Sequence, residues 1–301
     1  MRKHPEQWLV VLDQEEGEIP RAIEKMSPEL FHELLQLSSQ QPWLTRRGAE
    51  LYETVGICDN ADQRKLVMDL ISRFHFRSAE EYLEDRRKMA EIIIKRWECL
   101  PDNTMLIAVQ DNGCADSSSA VVQQFKGPLA EHAEWKTHNF ISHLGEVVGR
   151  IRDGMGIVIV DDFCGSGETI SKKVHWLNQE LAKAGKSAPI RVAVASAMEQ
   201  SRSVLEPIVT DYFAVHWLKR GIRDHFKGHD QADAIAHMQA LEDKLAERYN
   251  NKKIEKYRFG WRQSEALCYL DGENPPNNNF PLFWWRKLKP DNGWKTLLPR
   301  V

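Results

Sequence analysis

From residue 101 to residue 218 the chain alternates between two kinds of apolar pattern. Met105 to Val109, Ile157 to Val160, Val192 to Ala197 and Tyr212 to Trp217 are near-continuous apolar runs, as expected of strands covered on both faces. Between them apolar residues recur three and four apart: Ile141, Leu144, Val148 and Ile151, then Ile170, Val174, Leu177 and Leu181 up to Gly185. Strand, helix, strand in repetition predicts an α/β fold, a parallel sheet flanked by helices. A further helix is carried by Ile235, Met238, Leu241 and Leu245.

The first hundred residues read differently. Ser27 before Pro28 marks a helix start, with Phe31, Leu34 and Leu35 as its buried face. Leu66, Leu70 and Phe74, beside Val67 and Ile71, hold helical spacing. Ser78-Ala79-Glu80-Glu81 is a capping box that opens a longer helix with Tyr82, Met89, Ile93 and Trp97 on one face, closed by Pro101. Nothing here alternates like a strand. The expected organisation is an N-terminal helical lobe over 1–100 and an α/β domain over 101–301.

Composition narrows the classes. Forty-one Lys plus Arg against 44 Asp plus Glu give a net charge of −3, which argues against a general phosphate-coating role. The longest uncharged apolar run near the middle, Gly154 to Val160, is far short of the ~18 residues of a membrane helix, and Asp13, Glu15 and Glu16 stand where a signal peptide has its apolar core. A cytoplasmic protein with no membrane partner is expected. The five Cys are scattered, without a CxxC pair or a His at zinc spacing. The His residues read as structural or surface groups. Four of the ten Trp (261, 284, 285 and 294) fall in the last forty or so residues, so that region is expected to be an ordered loop packed on the domain. Arg248, Lys252, Lys253, Lys256, Arg258 and Arg262 set six cations against Glu255 and read as a solvated helix end in preference to a nucleic-acid contact.

The segment that carries chemistry runs Ile157-Val158-Ile159-Val160-Asp161-Asp162-Phe163-Cys164-Gly165-Ser166-Gly167-Glu168-Thr169-Ile170. A buried strand ends in two carboxylates, enters a loop of glycines and hydroxyls, and runs into an amphipathic helix. Ligands bind at the carboxyl ends of strands in open α/β sheets. The glycines let a ligand approach the backbone, and the free N–H groups of the helix start, with the hydroxyls of Ser166 and Thr169, suit a phosphate. The aspartates suit sugar hydroxyls, or a divalent cation held through its waters. Together they describe a ribose with a 5′-phosphate. Two plainer readings stand beside it: a Walker B pair, although no Gly-x-x-x-x-Gly-Lys-Ser/Thr lies upstream, and a tight strand-to-helix turn with Asp162 as a capping group. Cys164 reads as a packing residue rather than a reactive thiol.

Four apolar residues, two acids and a loop ending Ser-Gly-Glu-Thr resemble the phosphoribosyl-pyrophosphate (PRPP) signature of type I phosphoribosyltransferases. More narrowly, Asp-Asp-Phe-x-Gly-Ser-Gly-x-Thr is similar to the phosphoribosyltransferase-like domain (PRTase-CE type) of bacterial conflict and antiphage systems. The segment Asn274-Pro275-Pro276-Asn277-Asn278-Asn279-Phe280-Pro281-Leu282-Phe283-Trp284-Trp285 resembles that group's closing Pro-Asn-Asn-x-x-Pro-x-x-Trp stretch. The resemblance implies ribose contacts and cation contacts from Asp161 and Asp162, and a 5′-phosphate loop of Gly165, Ser166, Gly167, Glu168 and Thr169, with the Glu168 side chain turned outward. It also implies a pyrophosphate loop after the first strand, where Asn112, Gly113 and Ser117 would contribute. That segment carries two acids and no Lys or Arg before Lys126. The implied cofactor is Mg²⁺ with PRPP, and the implied activity is transfer of a phosphoribosyl group to a base, nucleotide or macromolecule, in antiphage defence with a partner protein. The other reading is a PRPP or nucleotide sensor without chemistry. Trp261, Trp284 or Trp285 would stack on a base, under a hood from the N-terminal helices or the C-terminal aromatic segment. If the N-terminal helices form a winged helix-turn-helix, Thr45-Arg46-Arg47 would contact DNA phosphate, but the mildly acidic composition there does not favour nucleic acid.

Overall fold

A computed structural model describes residues 26–108, 117–141, 143–290 and 292–300. In chain order the elements are α1 (Pro28–Gln40), α2 (Gly48–Gly56), α3 (Ala61–Ser72), β1 (His75–Arg77), α4 (Ala79–Glu91), β2 (Thr104–Ala108), α5 (Ser117–Ala130), β3 (Phe140–Ile141), α6 (Leu144–Arg150), β4 (Gly156–Cys164) and α7 (Glu168–Lys183). They continue with β5 (Ile190–Met198), α8 (Arg202–Leu205), β6 (Asp211–Leu218), α9 (Gly228–Glu242), β7 (Arg248–Tyr249), β8 (Lys252–Lys253), β9 (Cys268–Leu270), β10 (Lys287–Leu288) and β11 (Asn292–Gly293).

The four apolar runs form β2, β4, β5 and β6, and with β3 they make a five-stranded sheet in the order β3-β2-β4-β5-β6, parallel throughout. Alternation along β4 sends Ile157 and Ile159 to one face, against Ile170, Val174, Leu177 and Leu181 of α7. Val158 and Val160 go to the other, against Tyr82 and Met89 of α4 and Phe125 and Leu129 of α5. Burial of one such aliphatic side chain is worth roughly 1.5–3 kcal/mol, so the four apolar residues of α7 alone fix that helix on the sheet.

A third core joins the N-terminal helices to the C-terminal aromatic segment. Leu44, Leu70 and Ile71 from the N-terminal helices pack with Met238 and Leu241 of α9 and with Phe280, Phe283, Trp284 and Trp285. Ser27 caps α1 by accepting the Leu30 N–H at 3.2 Å, and Ser78 and Glu81 close the capping box of α4.

Four local expectations are corrected. α1 buries Leu34 and Leu37, whereas Phe31 and Leu35 are 59% and 55% exposed, because the face toward α3 lies one residue round from theirs. A strand does occur in the first hundred residues: β1 pairs in parallel with β9, a partner nearly two hundred residues away that a three-residue segment does not announce. Ile141 lies in β3, and the following helix starts at Leu144. The basic stretch is not a helix end: α9 stops at Glu242, and the β7–β8 hairpin and tight turns carry residues 248–262.

Candidate functional site

β4 is central in the sheet, so its carboxyl end opens between neighbouring strands. There Asp161 continues the α7-facing side of the pleat and Asp162 the α4-facing side. Each carboxylate accepts from the next backbone N–H, Asp162 N–H at 2.9 Å and Phe163 N–H at 2.7 Å, and each has further partners. Around Asp162 stand the Tyr82 hydroxyl and the Glu273 carboxyl. Burial pushes the Tyr82 hydroxyl up and Asp162 pushes it the same way, and the same two causes, in the same order, raise Glu273.

The loop after the acids ends at Gly167, which has φ +78° and occupies the N-cap position of α7. Asp162 therefore does not cap the helix, and the plainer turn reading loses its role for that residue. No side chain bonds as a cap at Gly167; the Ser166 hydroxyl takes the Glu168 N–H at 3.4 Å. The other first-turn amides have no partner within the helix by its geometry and point out of its start. Cys164 is buried and pushed up to about 11 by that burial, so it packs as expected.

Glu168 does not simply turn to solvent. Arg262 grips it with two bonds of 2.8 and 2.9 Å, and Lys172 reaches it at 2.9 Å. Hydrogen bonds from Arg262 first, and from Lys172, hold its carboxyl down to about 2. The negative charge in the loop is thereby balanced by two cations at its edge.

These residues line a cleft of about 760 Å³. One wall is Asp161 through Ile170. The other comes from far along the chain: Tyr257, Trp261, Glu273, Asn274, Pro276, Asn277, Asn278 and Arg300. The two sequence motifs thus face each other. They also touch, since a Cβ on Gly165 would lie 2.1 Å from the Asn278 side-chain nitrogen. Asn278 donates to Ser264 Oγ at 2.7 Å, and Asn279 clamps β9 by accepting from the Cys268 N–H and donating to the Cys268 carbonyl, both at 2.8 Å.

The far wall holds a costly backbone. Phe259, Arg262, Gln263 and Glu265 all have positive φ (57°, 58°, 53° and 48°), a conformation side chains disfavour. Buried acids hold it in place. Glu265 accepts the N–H groups of Ile222 and Arg223 at 2.8 Å and pairs with the Arg223 guanidinium, and Glu242 accepts the Phe259 N–H at 3.1 Å. Sequence reasoning did not find Tyr257, Glu273, Arg300 or the supporting Glu242 and Glu265. Only their nearness to the Pro-Asn segment in the chain hinted at two of them.

Trp261 lines the cleft, but Trp284 and Trp285 are fully buried, their indole N–H groups donating to the Asn279 and Ala246 carbonyls at 3.0 Å. Neither of these two is placed to stack on a base; a core shared with the N-terminal helices consumed them. α5 begins at Ser117, while Asn112 and Gly113 lie outside the described residues. Thr45 bonds its own turn through the Pro42 carbonyl at 2.7 Å, and Arg46 and Arg47 approach Asp271 and Glu50. No group of three or more His, Cys, Asp or Glu placed to hold a metal occurs among the described residues. Two adjacent carboxylates beside an uncapped helix start do fit Mg²⁺, which takes one or two carboxylates and leaves its other positions to water and phosphate oxygens. No helix among the described residues is long and apolar enough to cross a membrane.

Among solved structures the chain is similar to the HGPRT-ase from Leishmania tarentolae in complex with GMP, at 18% identity over 47% of this chain and 79% of that one, with a TM-score of 0.32. It is also similar to the Helicobacter pylori xanthine-guanine-hypoxanthine phosphoribosyltransferase (14%, 48% and 89%, TM-score 0.31). A third is a hypothetical protein from Neisseria gonorrhoeae with bound ppGpp (15%, 56% and 98%, TM-score 0.33). No curated protein matches the chain. The profile of the PRTase-CE family matches residues 58–300, a span that takes in both walls of the cleft, and the chain belongs to that family.

Proposed function

We propose that the cleft binds PRPP, or a related ribose ligand with a 5′-phosphate, and transfers its phosphoribosyl group to a nitrogen nucleophile. One observation carries the reading: two carboxylates and an uncapped helix start stand a few residues apart on the same wall of one cleft. The open amides of α7 and the hydroxyls of Ser166 and Thr169 take the 5′-phosphate. Asp161 and Asp162 accept from the ribose hydroxyls and fix the ring. As the C1–O bond to pyrophosphate breaks and the bond from C1 to the acceptor nitrogen forms, the same carboxylates stabilise positive charge on the ring. The acceptor proton leaves to solvent. Asp161 and Asp162 would hold Mg²⁺ through its waters, and the ion would offset charge on the departing pyrophosphate. The far wall, with Trp261 and Tyr257, excludes water and borders the space left for an acceptor.

A second reading has its own support. The segment 110–119 contains Asp111 and Asp116 and no Lys or Arg, an unfavourable setting for a pyrophosphate. A module that binds the ligand and signals to a partner protein, without transfer, would need no such loop.

The test is titration calorimetry with PRPP and Mg²⁺, followed by a pyrophosphate-release assay with a panel of bases and nucleotides. Binding with release, both lost in Asp162→Asn, supports the transferase; binding lost in that variant but no release from the native chain supports the sensor. Failure to bind PRPP or any nucleotide removes both. For an antiphage role with a defence partner, as the family resemblance implies, phage challenge of cells carrying the native chain or Asp162→Asn is the direct measurement.

A further inference from the structure

The basic stretch that sequence alone assigns to a solvated helix end leads instead to the cleft, which its aromatics Tyr257 and Trp261 line. It enters through the β7–β8 hairpin, where Arg248 pairs with Lys253 and Tyr249 with Lys252, and leaves through Tyr257 and Trp261, which line the cleft with rings 5.4 Å apart. A second basic strand joins it. The Ala246 N–H donates to the Lys287 carbonyl at 2.9 Å, and the Lys289 N–H to the Lys244 carbonyl at 2.8 Å, which lays Arg286 to Lys289 along the segment that leads into the hairpin. Arg248, Lys253, Lys256, Arg286 and Lys289 are exposed and Lys252 is half-buried, with Glu247 and Glu255 as the exposed acids among them. The two acids cannot balance six cations. The excess stands out in a chain of net charge −3. Lys252 also feels Arg300 of the cleft wall, which adds to burial in lowering its pKa, so the hairpin stands close to that wall.

We propose that this surface binds single-stranded nucleic acid and leads one of its bases to Trp261. Cations spaced along a strand pair, ending at a half-buried aromatic that lines a cleft, suit a phosphodiester backbone whose bases are free to stack. A duplex keeps its bases paired and offers none to the cleft, and an acidic polypeptide matches the charge but has no ring for Trp261. The proposal extends the phosphoribosyl reading only in naming the acceptor as a nucleotide within a polynucleotide; the binding itself does not depend on it.

The test is fluorescence anisotropy of the full chain with a labelled mixed-sequence 20-nucleotide single strand, as DNA and as RNA. If about four phosphates are neutralised, raising salt from 50 to 200 mM should weaken binding roughly 50-fold. Lys253→Glu combined with Lys256→Glu, both exposed, should weaken it at least tenfold while PRPP binding stays within twofold. Trp261→Ala should weaken binding of the normal strand and leave an abasic strand unchanged. The proposal is overturned by no binding at 50 mM salt, by binding indifferent to the charge reversal, by a duplex bound as tightly as the single strand, or by polyglutamate competing as well as the unlabelled strand. Strand binding without PRPP binding removes the phosphoribosyl reading and leaves this surface standing; PRPP binding without strand binding does the reverse.

Discussion

The two walls of the cleft are made by different means. The β4–α7 wall is local: one strand, one loop and one helix, each specified by its own residues, with a single positive φ at Gly167. The far wall is assembled from residues 257–278 and Arg300, bends through several unfavourable backbone positions, and is held by buried polar side chains from α9 and from the turn that carries Glu265. The near wall is thus written in about ten residues, whereas the far wall and its supports are spread over residues 222–300, about a quarter of the chain.

The far wall is most vulnerable at Asn279. Its side chain is fully buried and makes three bonds, to the Cys268 N–H, the Cys268 carbonyl and the Pro276 carbonyl. Asn279→Ala strands those groups and should cost roughly 3–4 kcal/mol in urea unfolding, far more than a change at an exposed site of the near wall. Gly165→Ala attacks the seam between the walls. The new Cβ would displace Asn278, and PRPP affinity measured by calorimetry should fall at least tenfold with about 1–3 kcal/mol of stability.

A pH series isolates the support of the far wall. Burial, opposed by the Phe259 N–H and Arg258, pushes Glu242 up to about 8 from 4.5. The folded state then binds a proton that the unfolded chain has released, so stability from this group is full below about pH 4.5 and is lost as pH rises toward 8. Glu242→Gln keeps an acceptor for Phe259 and should flatten the decline in unfolding free energy between pH 5 and pH 8. The smallest effect belongs to the near wall. Glu168→Gln gives up an exposed ion pair, so stability should move by no more than about 0.5 kcal/mol. PRPP affinity should rise a few-fold as a negative charge leaves the loop.

Legibility in the sequence follows the same division. The apolar run of β4, the start of α7 and the Ser78–Glu81 cap could be read directly, because each depends on neighbours within a few residues, although β4 runs past both aspartates to Cys164. What could not be read depends on distant partners. The inward face of α1 was misassigned, since Phe31 and Leu35 are as apolar as Leu34, and only the position of α3 decides between them. Trp284 and Trp285 have the composition of a stacking platform and the location of a core. Glu242 and Glu265 look like any surface acid until the turn they hold has been seen.

The contact between Gly165 and Asn278 joins positions more than a hundred residues apart. During synthesis the loop after β4 would emerge and could fold with its strand and helix well before its opposite side exists. An unfinished chain would therefore carry that loop open to water, and the cleft would gain its second side only once residue 278 has been made.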